Sequence, residues 1–108
     1  MSRTTTTTTT TTPLTDGHAN GLVPIGSVEW RQSVKVRGRV RSMRVQPWGG
    51  VPALECVLVD DSGGVLVAFL GRRTVGGVSL GRTMTVEGVV GEHRGYLAVL
   101  NPVYELHG

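Results

Sequence analysis

Cysteine is all but missing from this chain. Cys56 stands alone, so an intramolecular disulfide is impossible and a metal site built on paired thiolates is excluded. Aromatic residues are scarce, at 5% of the sequence, which leaves few rings for any surface that works by stacking. No apolar run approaches the ~18 residues of a membrane-crossing helix, and the N-terminus lacks the apolar core and small-residue cleavage site of a signal peptide. The expectation is a soluble, unexported protein of the reducing cytoplasm. The histidines, His18, His93 and His107, are scattered, without a Cys, His or carboxylate at metal-ligand spacing. The glycine-rich stretches do not end in the GK[ST] of a phosphate loop. Asp60 and Asp61 read as turn residues and Cys56, alternating with Leu54 and Leu58, as an inert core thiol. Neither an enzyme nor a cofactor nor a small-molecule substrate is expected.

What the chain does hold is arginine, glycine, valine and threonine. The 11 Lys+Arg against 8 Asp+Glu give a net charge of +3 and a pI near 9.8, a mild bias toward polyanions. At 108 residues there is room for one small domain with one core. The composition changes near residue 22. Residues 1–22, beginning "MSRTTTTTTTTTPLTDGHANG", offer almost nothing to bury and read as a disordered, low-complexity tail; residues 23–108 read as the folded domain.

Within that domain the pattern is of short strands punctuated by glycine. In "VKVRGRVRSMRV", Val34, Val36, Gly38 and Val40 alternate with Lys35, Arg37, Arg39 and Arg41, the period-two signature of a half-buried strand. The phase then slips to Met43 and Val45, which predicts a β-bulge near Ser42, and mid-strand Gly38 suits a sharp barrel corner. "QPWGGVP" reads as a loop. A second strand is expected over about 53–59, a hairpin turn at Asp60–Gly64, a third strand over about 65–70, then a glycine-rich stretch with a short helical turn at most. "TMTVEGVV" predicts a fourth strand, "GEHRG" a turn and "YLAVL" a fifth, with Asn101–Pro102 ending the last strand before a short tail.

The lead-in "PIGSVEWRQSVKVRGRVRSM", together with "VPALE", "LGRR" and "NPVYEL", resembles OB-fold nucleic-acid-binding domains of the tRNA-anticodon type, and more specifically small actinobacterial OB-fold proteins described as nucleic-acid-binding. The resemblance spans roughly residues 25 to 106. It implies an all-β, five-stranded Greek-key OB-fold barrel in which a face around the second and third strands and two flanking loops bind oligonucleotides.

On that barrel the valines of the first strand face inward, so Lys35, Arg37, Arg39 and Arg41 form an outward row spaced about 6.6 Å, continued by Arg44. Trp48 and Tyr96 fall where the two binding loops should lie and are the candidate stacking rings, while Trp30 and Phe69 are assigned to packing and Tyr104 to the core or rim. Arg72 and Arg73 after the third strand and Arg94 beside Tyr96 extend the basic track. The expected partner is single-stranded DNA or RNA, bound weakly and without sequence preference. The competing account is a protein-interaction module acting in a larger assembly through Val57, Leu66 and Ala68.

Overall fold

A long, bent first strand organises the molecule. In the computed structural model, which describes residues 21–108, β1 (Ser33–Trp48) runs for 16 residues and pairs with two different neighbours. Its first half, Ser33–Arg39, lies antiparallel to β4 (Thr83–His93). Its second half, Arg39–Trp48, lies antiparallel to β2 (Val51–Asp60). Between them the register shifts from Val40↔Leu58 to Ser42↔Val57, leaving Arg41 as the extra residue of the expected bulge, and the strand bends there. Gly38 is the corner: a Cβ at this position would lie 2.5 Å from the carbonyl oxygen of Val59 and 2.9 Å from Cδ1 of Ile25, so only glycine lets β2 and the N-terminal segment approach this closely.

The remaining strands, β3 (Gly63–Leu70), β5 (Tyr96–Leu100) and β6 (Val103–His107), complete the sheet. β3 follows β2 through a tight hairpin, pairs in parallel with β5 over Leu66–Ala68, and β5 returns to β4. The ring β1-β2-β3-β5-β4-β1 is therefore closed, which removes the open edges that a five-stranded sheet would otherwise present. β6 is an addition to the five expected strands. The short tail after Asn101–Pro102 does not end the fold; it turns at Asn101, whose φ is 47°, and pairs with β4 from Glu87↔Val103 to Thr83↔His107. The turn is fixed by Asn101, whose Oδ1 accepts from the Leu70 N–H while its own N–H donates to the Ala68 carbonyl.

"QPWGGVP" is likewise strand rather than loop. β1 runs to Trp48, β2 starts at Val51, and only Gly49 and Gly50 turn, with φ of 57° and 90°, the two positive values that match the twist of a hairpin. Pro47 and Pro52 sit opposite one another. This pair, next to the one that closes the hairpin, is a non-hydrogen-bonded pair of the β1–β2 ladder, so the missing N–H groups cost no bond within this hairpin.

The inward faces meet in one core built on Ile25, Val36, Val40, Leu58, Met84 and Val86, with Cys56 and Phe69 among them. Phe69 packs as expected and meets the half-buried Tyr104 edge-on at 5.7 Å. Burial pushes the Cys56 thiol up to about 11, consistent with an unreactive core residue. The stretch between β3 and β4 forms turns without a helix and sends Val75 and Val78 into the base of the barrel. Residues 1–20 of the expected tail lie outside the described residues.

Asp60 ties the N-terminal segment to the β2–β3 hairpin. One oxygen accepts from the N–H groups of Ser62 and Gly63 and from the Ser62 hydroxyl, and the other accepts from the Ile25 N–H at 2.9 Å. Burial pushes this carboxyl up, but the hydrogen bonds from Ile25, Ser62 and Gly63 outweigh it and hold the carboxyl below its ordinary value. A carboxyl lowered in the folded state stabilises above its unfolded value, near 3.9, and loses that contribution as pH falls through the lower folded value. Asp60→Ala should therefore reduce stability by about 1–3 kcal/mol at pH 7, with the difference from wild type shrinking below pH ~4; urea titrations at pH 7 and pH 3 measure both. Gly38→Ala should cost about 1–3 kcal/mol by overpacking, read as a lower denaturation midpoint with an unchanged slope.

Candidate nucleic-acid interface

Alternation and the bulge together decide where each outward side chain of β1 goes. Before the bulge, Lys35, Arg37 and Arg39 stand opposite Glu87, Thr85 and Thr83 of β4, and these in turn stand opposite Val103, Glu105 and His107 of β6. The cations thus share a sheet face with two carboxylates that the linear sequence keeps far away. Lys35, directly across from Glu87, is half-buried; Arg37 and Arg39 are exposed. Arg41 is the unpaired bulge residue and is exposed as well. After the bulge the outward residues face β2 instead, and Arg44 stands opposite Glu55. The row of arginines therefore turns a corner of the barrel at Arg41.

Past the corner the side chains form a connected cluster. Glu55 is the one charged residue inside β2, whose other acidic residue, Asp60, ends the strand, and it is only 4% exposed. A carboxylate so buried needs donors, and it has two. Arg44 Nε donates to Oε1 at 3.2 Å, and Trp48 Nε1 donates to Oε2 at 2.5 Å. Arg44 keeps 66% of its side chain exposed while paired. The indole of Trp48 then lies against the imidazole of His93, with ring centroids 3.6 Å apart and planes 11° from parallel. His93 ends β4, and across the hairpin Tyr96 begins β5 directly opposite it, 69% exposed. The turn between them is Arg94–Gly95, with φ of 53° and 84°, another two-residue hairpin of positive φ. The tip of the β1–β2 hairpin and the tip of the β4–β5 hairpin thus touch through aromatic rings, flanked by Arg44 and by the exposed Arg94.

Four of the sequence-selected residues, Arg44, Trp48, Arg94 and Tyr96, come together here. Lys35, Arg37 and Arg39 lie on the neighbouring sheet face with Arg41 at the corner, and Arg72 and Arg73 are exposed in the turn after β3. Trp48 is corrected: it ends a strand and is half-buried, stacked and hydrogen-bonded, because the two-residue turn leaves no flexible loop to display it. Trp30 is corrected in the opposite sense. It is 58% exposed, with the Arg31 guanidinium 4.2 Å from its ring centroid, since it projects from an irregular knuckle in which no strand phase directs it inward. Ala68 is fully buried and offers no surface to a partner. Glu55 and His93 were not among the selected residues. The signal for Glu55 was its isolation in an apolar strand, and for His93 its place just before an Arg-Gly turn, opposite Tyr96.

No protein-family model matches the chain, and no curated protein matches it in sequence. Solved structures do match in shape. The OB domain of Ta0387 from Thermoplasma acidophilum superposes with a TM-score of 0.65 at 17% identity, covering 81% of this chain and 87% of that one. The second OB-fold domain of replication protein A from Methanococcus maripaludis gives 0.61 at 15% identity over 79% and 93%. The structure of yeast Stn1 and Ten1 gives 0.56 at 18% identity over 70% of this chain and 43% of that one. Likeness at these identities establishes the fold, and the fold is the OB fold. No helix among the described residues is long and apolar enough to cross a membrane.

The cluster depends on Glu55. In Glu55→Ala the exposed Arg44 regains water, while the half-buried indole N–H is left without its acceptor. The expected loss is therefore about 1–3 kcal/mol, accompanied by a red shift and stronger acrylamide quenching of Trp48 emission in a Trp30→Phe background.

Proposed function

We propose that this OB-fold chain is a cytoplasmic, non-catalytic module that binds single-stranded DNA or RNA weakly and with little sequence preference. The observation that carries the reading is the meeting of Arg44, Trp48, Arg94 and Tyr96 at the two hairpin tips, the side of an OB barrel that takes oligonucleotides in many members of the fold. Single-strand binders of this kind combine aromatic faces for bases with cations for the backbone. Arg41, Arg39 and Arg37 lead away from the tips around the bulge as exposed cations, able to follow a strand that leaves the aromatic cluster. Shape similarity to a domain of a protein named for replication supports the same reading. With one or two stacked bases at ~1–3 kcal/mol each, affinity in the micromolar range is expected for the isolated chain.

A second reading, a protein-interaction module, is favoured by one observation. Trp30, Val89 and Val103 are 58%, 59% and 75% exposed. The ladders tie them to one end of the β1–β4–β6 face: Val89 stands opposite Ser33, Val103 opposite Glu87, and the Arg31 N–H beside Trp30 donates to the Val90 carbonyl.

The two readings separate by salt. Four phosphate contacts predict a fall of log K against log salt with slope about −3, from ~−0.7 per contact on a single strand. Combining Arg37→Glu with Arg39→Glu should flatten the slope by about 1.4, and Trp48→Ala should weaken binding at every salt concentration. Anisotropy titrations with single-stranded DNA, the matching RNA and the duplex measure this. Absence of saturable single-strand binding at low salt would exclude the oligonucleotide reading.

A further inference from the structure

We infer that the Trp48–His93 stack, latched by Glu55, is an autoinhibitory closure: the imidazole occupies the indole face a base would take, and a nucleic-acid strand binds after the β4–β5 tip lifts away. This rests on the single-strand reading above and concerns how that same surface is controlled.

Three observations lead to it. First, the outward face of the sheet beneath the tips is covered. Ala53 on β2, Ala68 on β3 and Ala98 on β5 alternate with core residues, yet each is 0% exposed, and Glu55 is 4% exposed. Outward positions on an open sheet face meet solvent. Over Glu55 the cover is the chain's own: Trp48 donates to the carboxylate, and His93 lies on Trp48.

Second, both groups that would receive a nucleotide are already engaged. The near-parallel rings at 3.6 Å reproduce the contact between a base and an indole, so a base and His93 compete for the same face. The Arg44 guanidinium is held by Glu55 at 3.2 Å, so a phosphate and the carboxylate compete for the same cation. One buried carboxylate thereby fixes the stacking ring and the cation together.

Third, the closed arrangement is incomplete. His93 Nε2 is buried and has no hydrogen-bond partner among the described residues. Buried polar atoms are normally satisfied, and a closure that leaves one unpaired opens more readily than a fully bonded one. Tyr96 and Arg94, both exposed, remain available to an arriving strand while the stack is shut.

The test uses the full-length protein, a fluorescent ten-nucleotide oligothymidylate and its uridylate counterpart, with His93→Ala and Glu55→Gln as variants. His93→Ala frees the indole face. Glu55→Gln retains an acceptor oxygen for Trp48 and similar volume while releasing Arg44, so it reads the cation half of the latch if the first variant folds poorly by circular dichroism. Removing a closure raises the binding-competent fraction, and a stack of this kind predicts a tightening of about 3- to 10-fold. The association rate of wild type should level off with rising oligonucleotide concentration, at the opening rate, and that of His93→Ala should stay linear. Weaker or unchanged binding by both variants, beside saturable wild-type binding, would overturn the closure and make His93 part of the platform. No binding by wild type or either variant would instead overturn the single-strand reading, and the closure with it.

Discussion

Everything in this molecule follows from asking one strand to pair with two different neighbours along its length. β1 must pair with β4 over its first half and β2 over its second, and a chain of L-residues cannot do so without a sharp bend. Glycine at position 38 admits the β2 backbone and the Ile25 side chain, and the extra residue at Arg41 changes which side chains point outward. The ring closes only because of that bend. The same shift sends Lys35, Arg37 and Arg39 onto one face and Arg44 and Trp48 onto another. The barrel's closure and the division of its surface are thus one structural event.

The chemistry at the hairpin tips is a second consequence. Two-residue turns at Gly49–Gly50 and Arg94–Gly95 keep both hairpins in strand geometry to their ends, so Trp48 and His93 are set by ladder register instead of by loop flexibility. A carboxylate buried on β2 then has cation and indole within reach because β1 runs beside it. Glu55, the least expected residue in its strand, is the one that joins the arginine row to the aromatic cluster.

Much of this was legible in the sequence. Alternation located the five barrel strands, and the slip in phase after Arg41 located the bulge, because period two leaves no other way to move the apolar set by one residue. Asn101–Pro102 resembled a strand terminator, and the sixth strand beyond it was hidden because a left-handed asparagine can turn a chain as well as end a strand. The prolines of "QPWGGVP" concealed strand because linear reading does not show that Pro47 and Pro52 occupy a pair that needs no hydrogen bond. The tip cluster was half visible. Trp48 and Tyr96 stood out as rings in a chain with few, but the Trp48–His93 contact joins hairpins 45 residues apart, and no local pattern encodes it. Nor could the sequence show that Glu87 and Glu105 would line up beside the arginines, since that is a product of cross-strand register.

On the proposed function, the two hairpin tips form the surface that receives a nucleic-acid strand. The most direct measurement is a proton–nitrogen correlation spectrum of labelled protein titrated with a short unlabelled oligonucleotide. The indole N–H of Trp48, the Nε–H of Arg44 and the amides of Arg94 and Tyr96 should shift together and saturably. Perturbations confined to Trp30, Val89 and Val103, or none at all, would contradict it.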